Sequence, residues 1–243
     1  MDGLNLAYFL AATFIGGVTS GLSGFAMGLV VSGVWLHIIT PTQNALLIVL
    51  CGLVTQGSGI WKVRHAIKWR SVAPFVIGGL VGIPAGTALL KMVDQGTLRL
   101  CMGVLLVIYS LYSLARPALK PLQSGVATDL GVGVLNGFVA GLTGLGGVVV
   151  TLWCQLRGGS KDAQRAIYQP VLFATFATTA ISYAFAGAYT VETLKLYVFA
   201  LPVLIAAIWC GFWLYGKLDD AAFRKIILLL LLVLGVALIV PMR

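Results

Sequence analysis

Ten apolar segments follow one another along the 243-residue chain, separated by short polar or turn-forming stretches. A helix needs about 20 mainly apolar residues to cross the hydrocarbon core of a bilayer. Most of the segments approach that length, whereas the one at 145–157 is too short to cross comfortably. The pattern predicts an all-α polytopic membrane protein with segments near 4–20, 23–39, 43–61, 71–91, 97–115, 126–142, 145–157, 163–187, 190–215 and 222–241.

Composition strengthens this prediction and excludes other classes of protein. The chain is 60% hydrophobic and 9% charged, with a mean hydropathy of +1.02, whereas a soluble domain carries about 25% charged residues. Its net charge of +9 lies mostly in short loops, where Lys and Arg set the orientation of a membrane protein. We therefore expect the lipid bilayer, and not nucleic acid, to be its partner.

A short glycine-containing phrase occurs twice, once in each half of the chain. Residues 17–24 read Gly-Val-Thr-Ser-Gly-Leu-Ser-Gly, and residues 137–144 read Gly-Phe-Val-Ala-Gly-Leu-Thr-Gly. Gly21 and Gly141 lie 120 positions apart, and each copy interrupts a long apolar stretch. Paired interruptions in the two halves of a membrane chain are the best sequence pointer to a transporter's binding site.

The repeat extends beyond this phrase. At a similar offset, Gln43-Asn44-Ala45 aligns with Gln164-Arg165-Ala166, and Gly86 aligns with Gly211. This duplication predicts a first transmembrane repeat over 1–116, an inter-repeat linker over 117–125 and a second transmembrane repeat over 126–243.

Charges in the loops predict that the two repeats are inserted in opposite directions. The first repeat has its densest basic loop at 62–70. The corresponding loop near 187–195 has only two charged residues, Glu192 and Lys195. Lys and Arg accumulate in cytoplasmic loops, so the basic excess changes sides between the halves. We expect inverted-topology repeats with both chain termini outside.

Each repeat is expected to contain a broken helical hairpin followed by three transmembrane helices. The hairpin either crosses the membrane twice around a tight turn or enters and leaves on one side, and the sequence leaves both arrangements open. The GxxxG spacing within the phrase also fits close helix packing. A longer glycine ladder at Gly78, Gly82 and Gly86 suits either an internal helix pair or the face of a homodimer.

The two breaks are predicted to form an anion-binding site near the membrane midplane. A broken helix exposes backbone N–H groups and the positive end of its dipole. Nearby hydroxyls and amides add donors, although such groups also join helices to one another, and Asn136 is placed to stabilise the second break. The predicted substrate-binding residues are Ser20, Gly21, Ser23, Gly24, Phe25, Gln56, Asn136, Gly141, Thr143, Gly144 and Gln169.

The charged residues near these segments have two interpretations. Arg157 and Arg165, with Lys161 between them, form either an ordinary positive-inside loop or a basic funnel that attracts an anion. His37 and Asp129 are either interfacial residues or carriers of protons for coupled transport. The cysteines are isolated, and neither metal-ligand spacing nor a catalytic set occurs, so we expect no metal, no cofactor and no enzymatic activity.

The repeated glycine phrase resembles a motif of a known family. The phrase Gly-Leu-[Ser/Thr]-Gly-x-Gly-Gly, repeated in two halves of a basic polytopic protein, is similar to the TauE/SafE family of sulfite exporters. Residues 141–147 match the family pattern, whereas the first copy replaces the glycine run with Phe25, Ala26 and Met27. The resemblance implies transport of sulfite, thiosulfate, a sulfonate such as sulfoacetate, or a carboxylate. A bulkier first hairpin is expected to narrow the site or to contact a carbon-bearing substrate.

We therefore expect a secondary transporter that exports a small sulfur-containing or organic anion across the bacterial cytoplasmic (inner) membrane by alternating access, with coupling to protons. One alternative is an uncoupled anion channel with the same lining. Another is a membrane assembly factor without transport, which would not need polar residues placed symmetrically at two helix breaks.

Overall fold

The computed structural model describes residues 3–89, 95–115, 125–143, 146–185 and 187–239. Within these ranges the chain folds into α-helices and one 3₁₀ turn at Arg64–Ala66, and no strand is present. The all-α prediction is thereby confirmed, and each apolar segment of the sequence corresponds to one helix. The helices are α1 (Gly3–Ser23), α2 (Met27–Trp35), α3 (Pro41–Val63), α4 (Trp69–Leu89), α5 (Gln95–Ala115), α6 (Val126–Thr143), α7 (Val148–Arg157), α8 (Lys161–Phe185), α9 (Val191–Lys217) and α10 (Asp220–Ile239).

The second helix is much shorter than the apolar segment that predicts it. The segment covers 23–39, but α2 has only 9 residues. Positive φ angles at Gly24 and Ala26 delay its start, and a turn follows Trp35. The next helix then begins at Pro41, because Thr40 and Gln43 form a capping box and a proline is well suited to a first helical position.

Several helices have the length and apolar character of membrane spans. Among the described residues, Gly3–Ser23, Thr42–Ala66 and Val191–Lys217 are long and apolar enough to cross a bilayer, and shorter apolar stretches occur at Leu106–Ala115, Val126–Gly141 and Val148–Arg157. Large apolar side chains such as Val198 and Trp209 remain exposed on these helices. Faces of this kind suit contact with lipid, as expected of a membrane protein.

The chain divides into two compact units, and one boundary between them falls within α8. The first unit comprises Met1–His65 and Leu172–Leu218, and the second comprises Ala66–Val171 and Asp219–Arg243. Each unit therefore combines helices from both halves of the sequence. The repeat boundaries at 1–116 and 126–243, and the inverted insertion of the repeats, stay predictions.

In the first unit, α1 packs directly on α9 through glycines. A Cβ atom at Gly17 would lie 2.7 Å from the Cβ of Ala207, and one at Gly21 would lie 2.7 Å from the carbonyl oxygen of Ile208 and 3.0 Å from the Cα of Gly211. Real Cβ atoms essentially never approach so closely. The glycines are therefore needed for this contact, and the packing interpretation of the first GxxxG spacing is confirmed.

The short helix α2 completes the core of the first unit. Its residues Met27, Val31 and Trp35 recur at helical spacing and join the buried cluster formed with α1, α3 and α9. The ring of Trp35 stacks on Phe9 at a centroid distance of 4.9 Å, and its Nε1 donates a hydrogen bond to the Phe9 carbonyl oxygen at 3.3 Å. Thus α2 is fixed by apolar packing at a buried position.

In the second unit, α4 packs on α6 by the same device. The ladder of Gly78, Gly82 and Gly86 lies against the α6 backbone, and Gly137 of α6 faces the Gly79 backbone. The ladder therefore belongs to an internal helix pair, which was one of the two arrangements left open by the sequence. A homodimer stays a prediction.

These two helix pairs occupy equivalent positions in the repeat. Gly17 faces Leu204 in the first unit, and Gly137 faces Gly79 in the second. Gly137 lies 120 positions after Gly17, and Leu204 lies 125 positions after Gly79, the same offsets that relate the two halves of the sequence. In both pairs the contacts advance in the same direction along both helices, so the paired helices run parallel.

The Gly82→Ala substitution tests the packing of α4 on α6. The new Cβ would collide with the Val134 carbonyl oxygen and lie 2.8 Å from the Phe138 nitrogen. We expect it to destabilise the protein by about 2 kcal/mol, as overpacking typically does, and to lower the thermal unfolding midpoint in detergent. The matched control is Gly131→Ala on exposed α6 surface, where nothing lies within 4 Å. Equal midpoints for the two variants would contradict the packing.

Candidate functional site

The first break is a tight turn between α1 and α2. The Gly24 N–H donates to the Ser20 carbonyl oxygen at 2.7 Å, which closes the last turn of α1. Gly24 has φ 82° and Ala26 has φ 72°, and this left-handed region costs a residue with a Cβ about 1–2 kcal/mol. The chain therefore leaves the helix at the last residue of the glycine phrase, Gly24, whereas the residues of the phrase before it are helical. Ser20 and Gly21 lie buried on the last turns of α1.

The Ser23 hydroxyl is bound within this turn. Its oxygen lies 2.7 Å from the Thr19 carbonyl oxygen and 2.9 Å from that of Phe25, and it accepts the Phe25 N–H at 3.3 Å. Ser23 and Phe25 are both buried. The hydroxyl thus holds the turn together, and its predicted contact with a substrate stays a prediction, as does that of Phe25.

Gln56 reaches the first break from α3. Its Nε2 donates a hydrogen bond to the Gly24 carbonyl oxygen at 3.0 Å, which fixes the orientation of the amide. The other amide atom, Oε1, is buried and has no hydrogen-bond partner among the described residues. The sequence named Gln56 and Gly24 separately as site residues, and the fold places them in contact.

Asn136 stabilises the second break, as its position in the sequence predicts. Its Oδ1 accepts the N–H groups of Gly147 at 3.1 Å and Val150 at 3.3 Å, which are both at the start of α7. Since both partners are donors, the atom that faces them is the oxygen. The Nδ2 of the same amide is buried and has no partner among the described residues, so a hydrogen-bond donor remains available beside this break.

Both breaks present the N-terminus of a short helix. Helix α2 has 9 residues and α7 has 10, or about 14–15 Å of helix, which is half of a bilayer core. Each helix follows a residue with positive φ, Ala26 or Gly147, and neither of these residues provides a side-chain cap. The first turn of a helix has N–H groups without intrahelical partners and a partial positive charge, so each break can attract an anion.

Two further polar residues on α7 were missed by sequence reasoning. Thr151 and Gln155 lie one turn apart on the same face, and both are buried. The Thr151 hydroxyl and both amide atoms of Gln155 have no partner in the described part of the chain. Such groups within a membrane are satisfied by water, by a ligand or by another part of the protein. The signal that could have found them was the four-residue spacing of two polar residues in an otherwise apolar short segment.

Asp129 and Arg157 form a partly buried ion pair between α6 and α7. The Arg157 Nη1 lies 3.0 Å from the Asp129 Oδ2, and the Trp153 Nε1 donates to the Asp129 Oδ1 at 3.1 Å. From the sequence, Arg157 was predicted to lie in a positive-inside loop or a basic funnel, and Asp129 to be an interfacial residue or a proton carrier. The fold adds a structural role, because the pair joins the end of α7 to the start of α6.

The remaining predicted site residues are dispersed. Arg165 and Gln169 are buried on α8, the latter just before Pro170. His37 lies exposed in the turn after α2, and Gly141 lies in the last turn of α6. Gly144 and the side chain of Thr143 lie outside the described residues. That the two breaks meet near the membrane midplane stays a prediction.

Three hydroxyl side chains form a stripe along α8, and each donates a hydrogen bond to a carbonyl oxygen of the same helix. Thr178 donates to the Ala174 carbonyl oxygen, Thr179 to that of Thr175, and Ser182 to that of Thr178, each at 2.9 Å. This back-bonding is common for hydroxyls in apolar helices. The stripe therefore does not require a substrate to explain it.

The chain belongs to the family described as sulfite exporter TauE/SafE, whose model matches residues 8–238. No curated protein and no solved structure matches it. The match covers both breaks and the ten helices of the described ranges, except the first residues of α1 and the last residue of α10. A family of membrane transporters is consistent with the apolar helices and with the expectation that the chain is not an enzyme.

The residues that begin α2 and α7 provide a paired test of the break geometry. Ala26→Gly should stabilise the protein by about 0.5–1 kcal/mol, because glycine adopts a positive φ without steric cost. Gly147→Ala should destabilise it by about 1 kcal/mol for the same reason. Thermal unfolding of the two variants in one detergent measures both effects. If both substitutions shifted the unfolding midpoint in the same direction, the positive φ angles at Ala26 and Gly147 would not explain the stability of the variants.

Proposed function

We propose that this chain is a secondary transporter that moves a small sulfur-containing or organic anion across the cytoplasmic membrane by alternating access. The substrate class comprises sulfite, thiosulfate, sulfonates such as sulfoacetate, and small carboxylates. The direction is export from a bacterial cell across its inner membrane, with coupling to protons. Membership of a sulfite exporter family supports this class, and the helix N-termini at the two breaks are groups that would bind an anion.

The observation that carries the proposal is the donor set at the start of α7. Asn136 Oδ1 accepts two N–H groups there, and its Nδ2 has no partner among the described residues although Asn136 is only 1% exposed. An unpartnered donor buried in an apolar environment is costly. An oxyanion placed at the helix N-terminus would accept a hydrogen bond from Nδ2 and interact favourably with the helix dipole. No charged side chain is needed for such a site.

The first break supports the same function with a different balance of groups. The N-terminus of α2 offers a dipole end, while the unpartnered atom of Gln56 is an acceptor, Oε1. A substrate with a hydroxyl or a protonated oxygen would satisfy that acceptor. This arrangement suits a hydrogen-bearing oxyanion or a bound water better than a fully deprotonated anion alone.

The buried residues of α7 extend the polar environment of the second break. Thr151 and Gln155 continue from the Asn136 contact toward the C-terminal end of the helix, where Asp129 and Arg157 pair. A hydrated surface along this face would satisfy their unpartnered atoms. We propose that it forms part of the path of the substrate in the second unit. Asp129 and His37 remain the candidates for proton coupling, and Arg157 and Arg165 those for anion attraction.

The Asn136→Asp substitution separates anion binding from folding. A carboxylate still accepts the N–H groups of Gly147 and Val150 and is favoured at a helix N-terminus, but it removes the Nδ2 donor and repels an anion. We expect the fold to be retained, because the two N–H bonds and the helix N-terminus offset part of the cost of burying the carboxylate. Sulfite affinity should fall at least about tenfold, or about 1.4 kcal/mol. Thermal shifts of the purified protein across sulfite, sulfoacetate and acetate concentrations measure both quantities.

The matched control is Asn5→Asp, which makes the same chemical change in the first turn of α1. It should leave the ligand-induced shift unchanged. An unaltered sulfite shift in Asn136→Asp would exclude Asn136 from the site. A shift with acetate but with no sulfur oxyanion would keep the anion site and replace the substrate class by carboxylates.

A further inference from the structure

A groove opens between α3 and α9 in the first unit. It has a volume of about 270 Å³, and its lining includes Ser58, Trp61, Lys62, Ile205, Trp209 and Phe212. The α9 wall is apolar and aromatic, and the polar groups of Ser58 and Lys62 lie on the α3 wall. Trp61 is 60% exposed and Trp209 is 63% exposed, so the groove is open at the surface of the helix pair.

The groove lies toward the C-terminal ends of both helices. Leu47 and Cys51 of α3 share a buried cluster with Ala200 and Leu204 of α9, while the last turns of α3 lie beside residues 205–212. The contacts advance together along both chains, so α3 and α9 run parallel. Lys62 in the last turn of α3 and Lys217 in the last turn of α9 therefore mark the same end of the pair.

Tryptophans and basic residues are combined at this end. The Arg64 guanidinium lies 4.7 Å from the centre of the Trp61 ring, and the Lys217 ammonium lies 3.5 Å from that of Trp213. Tryptophan is enriched at the level of lipid headgroups, and Lys or Arg at that level attracts anionic lipids. Lys62 itself forms no ion pair with any residue that the structure describes, so its charge is available to a ligand.

We propose that this groove binds one anionic phospholipid. Lys62 and the Ser58 hydroxyl bind the phosphate, and an acyl chain lies along Ile205 and Phe212 between the two indole rings. A groove between two membrane helices must be filled by lipid or by another protein surface, and the positive charge of Lys62 on its α3 wall favours a negatively charged lipid. The site also assigns the C-terminal ends of α3 and α9 to the cytoplasmic leaflet, where anionic lipids are abundant.

Native mass spectrometry of the detergent-solubilised protein tests this site, with phosphatidylglycerol and phosphatidylcholine as probes. We expect one phosphatidylglycerol to bind per chain, several-fold more tightly than phosphatidylcholine. Lys62→Gln should weaken phosphatidylglycerol binding about fivefold, the effect of one basic residue near a membrane surface. The matched control is Lys195→Gln, an exposed lysine near the opposite end of α9, which should leave binding unchanged.

Three results would overturn the proposal. Equal weakening by Lys62→Gln and Lys195→Gln would mean that the lipid responds only to net charge. Competition by glycerol 1-phosphate at the affinity of the whole lipid would mean that the acyl chain has no place in the groove. A dimer that dissociates in Trp209→Ala, with no lipid bound to the native chain, would make the groove a contact between two copies of the protein.

Discussion

Two helices can bring their backbones into contact only where side chains are absent, and both broken hairpins depend on that contact. Gly17 and Gly21 allow α1 to lie on α9, and Gly137 allows α6 to lie on α4. In a membrane there is little hydrophobic force between helices, so close packing of this kind is what holds them together. Because α1 and α6 end at the breaks, the glycine contacts fix the places from which the chain turns into α2 and α7.

The breaks leave backbone N–H groups that can bind other groups. A continuous helix satisfies its own N–H and carbonyl groups, whereas a helix that begins inside a membrane protein leaves its first N–H groups to other partners. In the second unit Asn136 satisfies two of them, and in the first unit Ser23 and Gln56 stabilise the turn. Within the described part of the chain, one donor of Asn136 and one acceptor of Gln56 have no partner. The unpartnered atoms are those that a small hydrogen-bonding anion and its water could satisfy, which connects the packing of the helices with the proposed transport.

The helices were predicted well from the sequence, because the thickness and polarity of a bilayer determine how long the apolar segments are and where polar residues separate them. The sequence also identified Asn136 and Gln56, since an amide inside an apolar segment has few ordinary explanations. It could not assign the Ser23 hydroxyl to its own turn, because that depends on the φ angles at Gly24 and Ala26. The pairing of Asp129 with Arg157 and the burial of Thr151 and Gln155 depend on how α7 packs, and a short helix gives too little periodicity to predict its buried face.

The most direct test of the account is counterflow of radiolabelled sulfite in proteoliposomes that contain the purified protein. A transporter that alternates between two sides moves labelled substrate faster when the opposite side holds unlabelled substrate, and its rate saturates. The account predicts stimulation of uptake by internal sulfite, with a half-saturating concentration that is independent of the amount of protein. Sulfite flux that neither saturates nor responds to internal substrate would contradict alternating access and identify the chain as an anion channel.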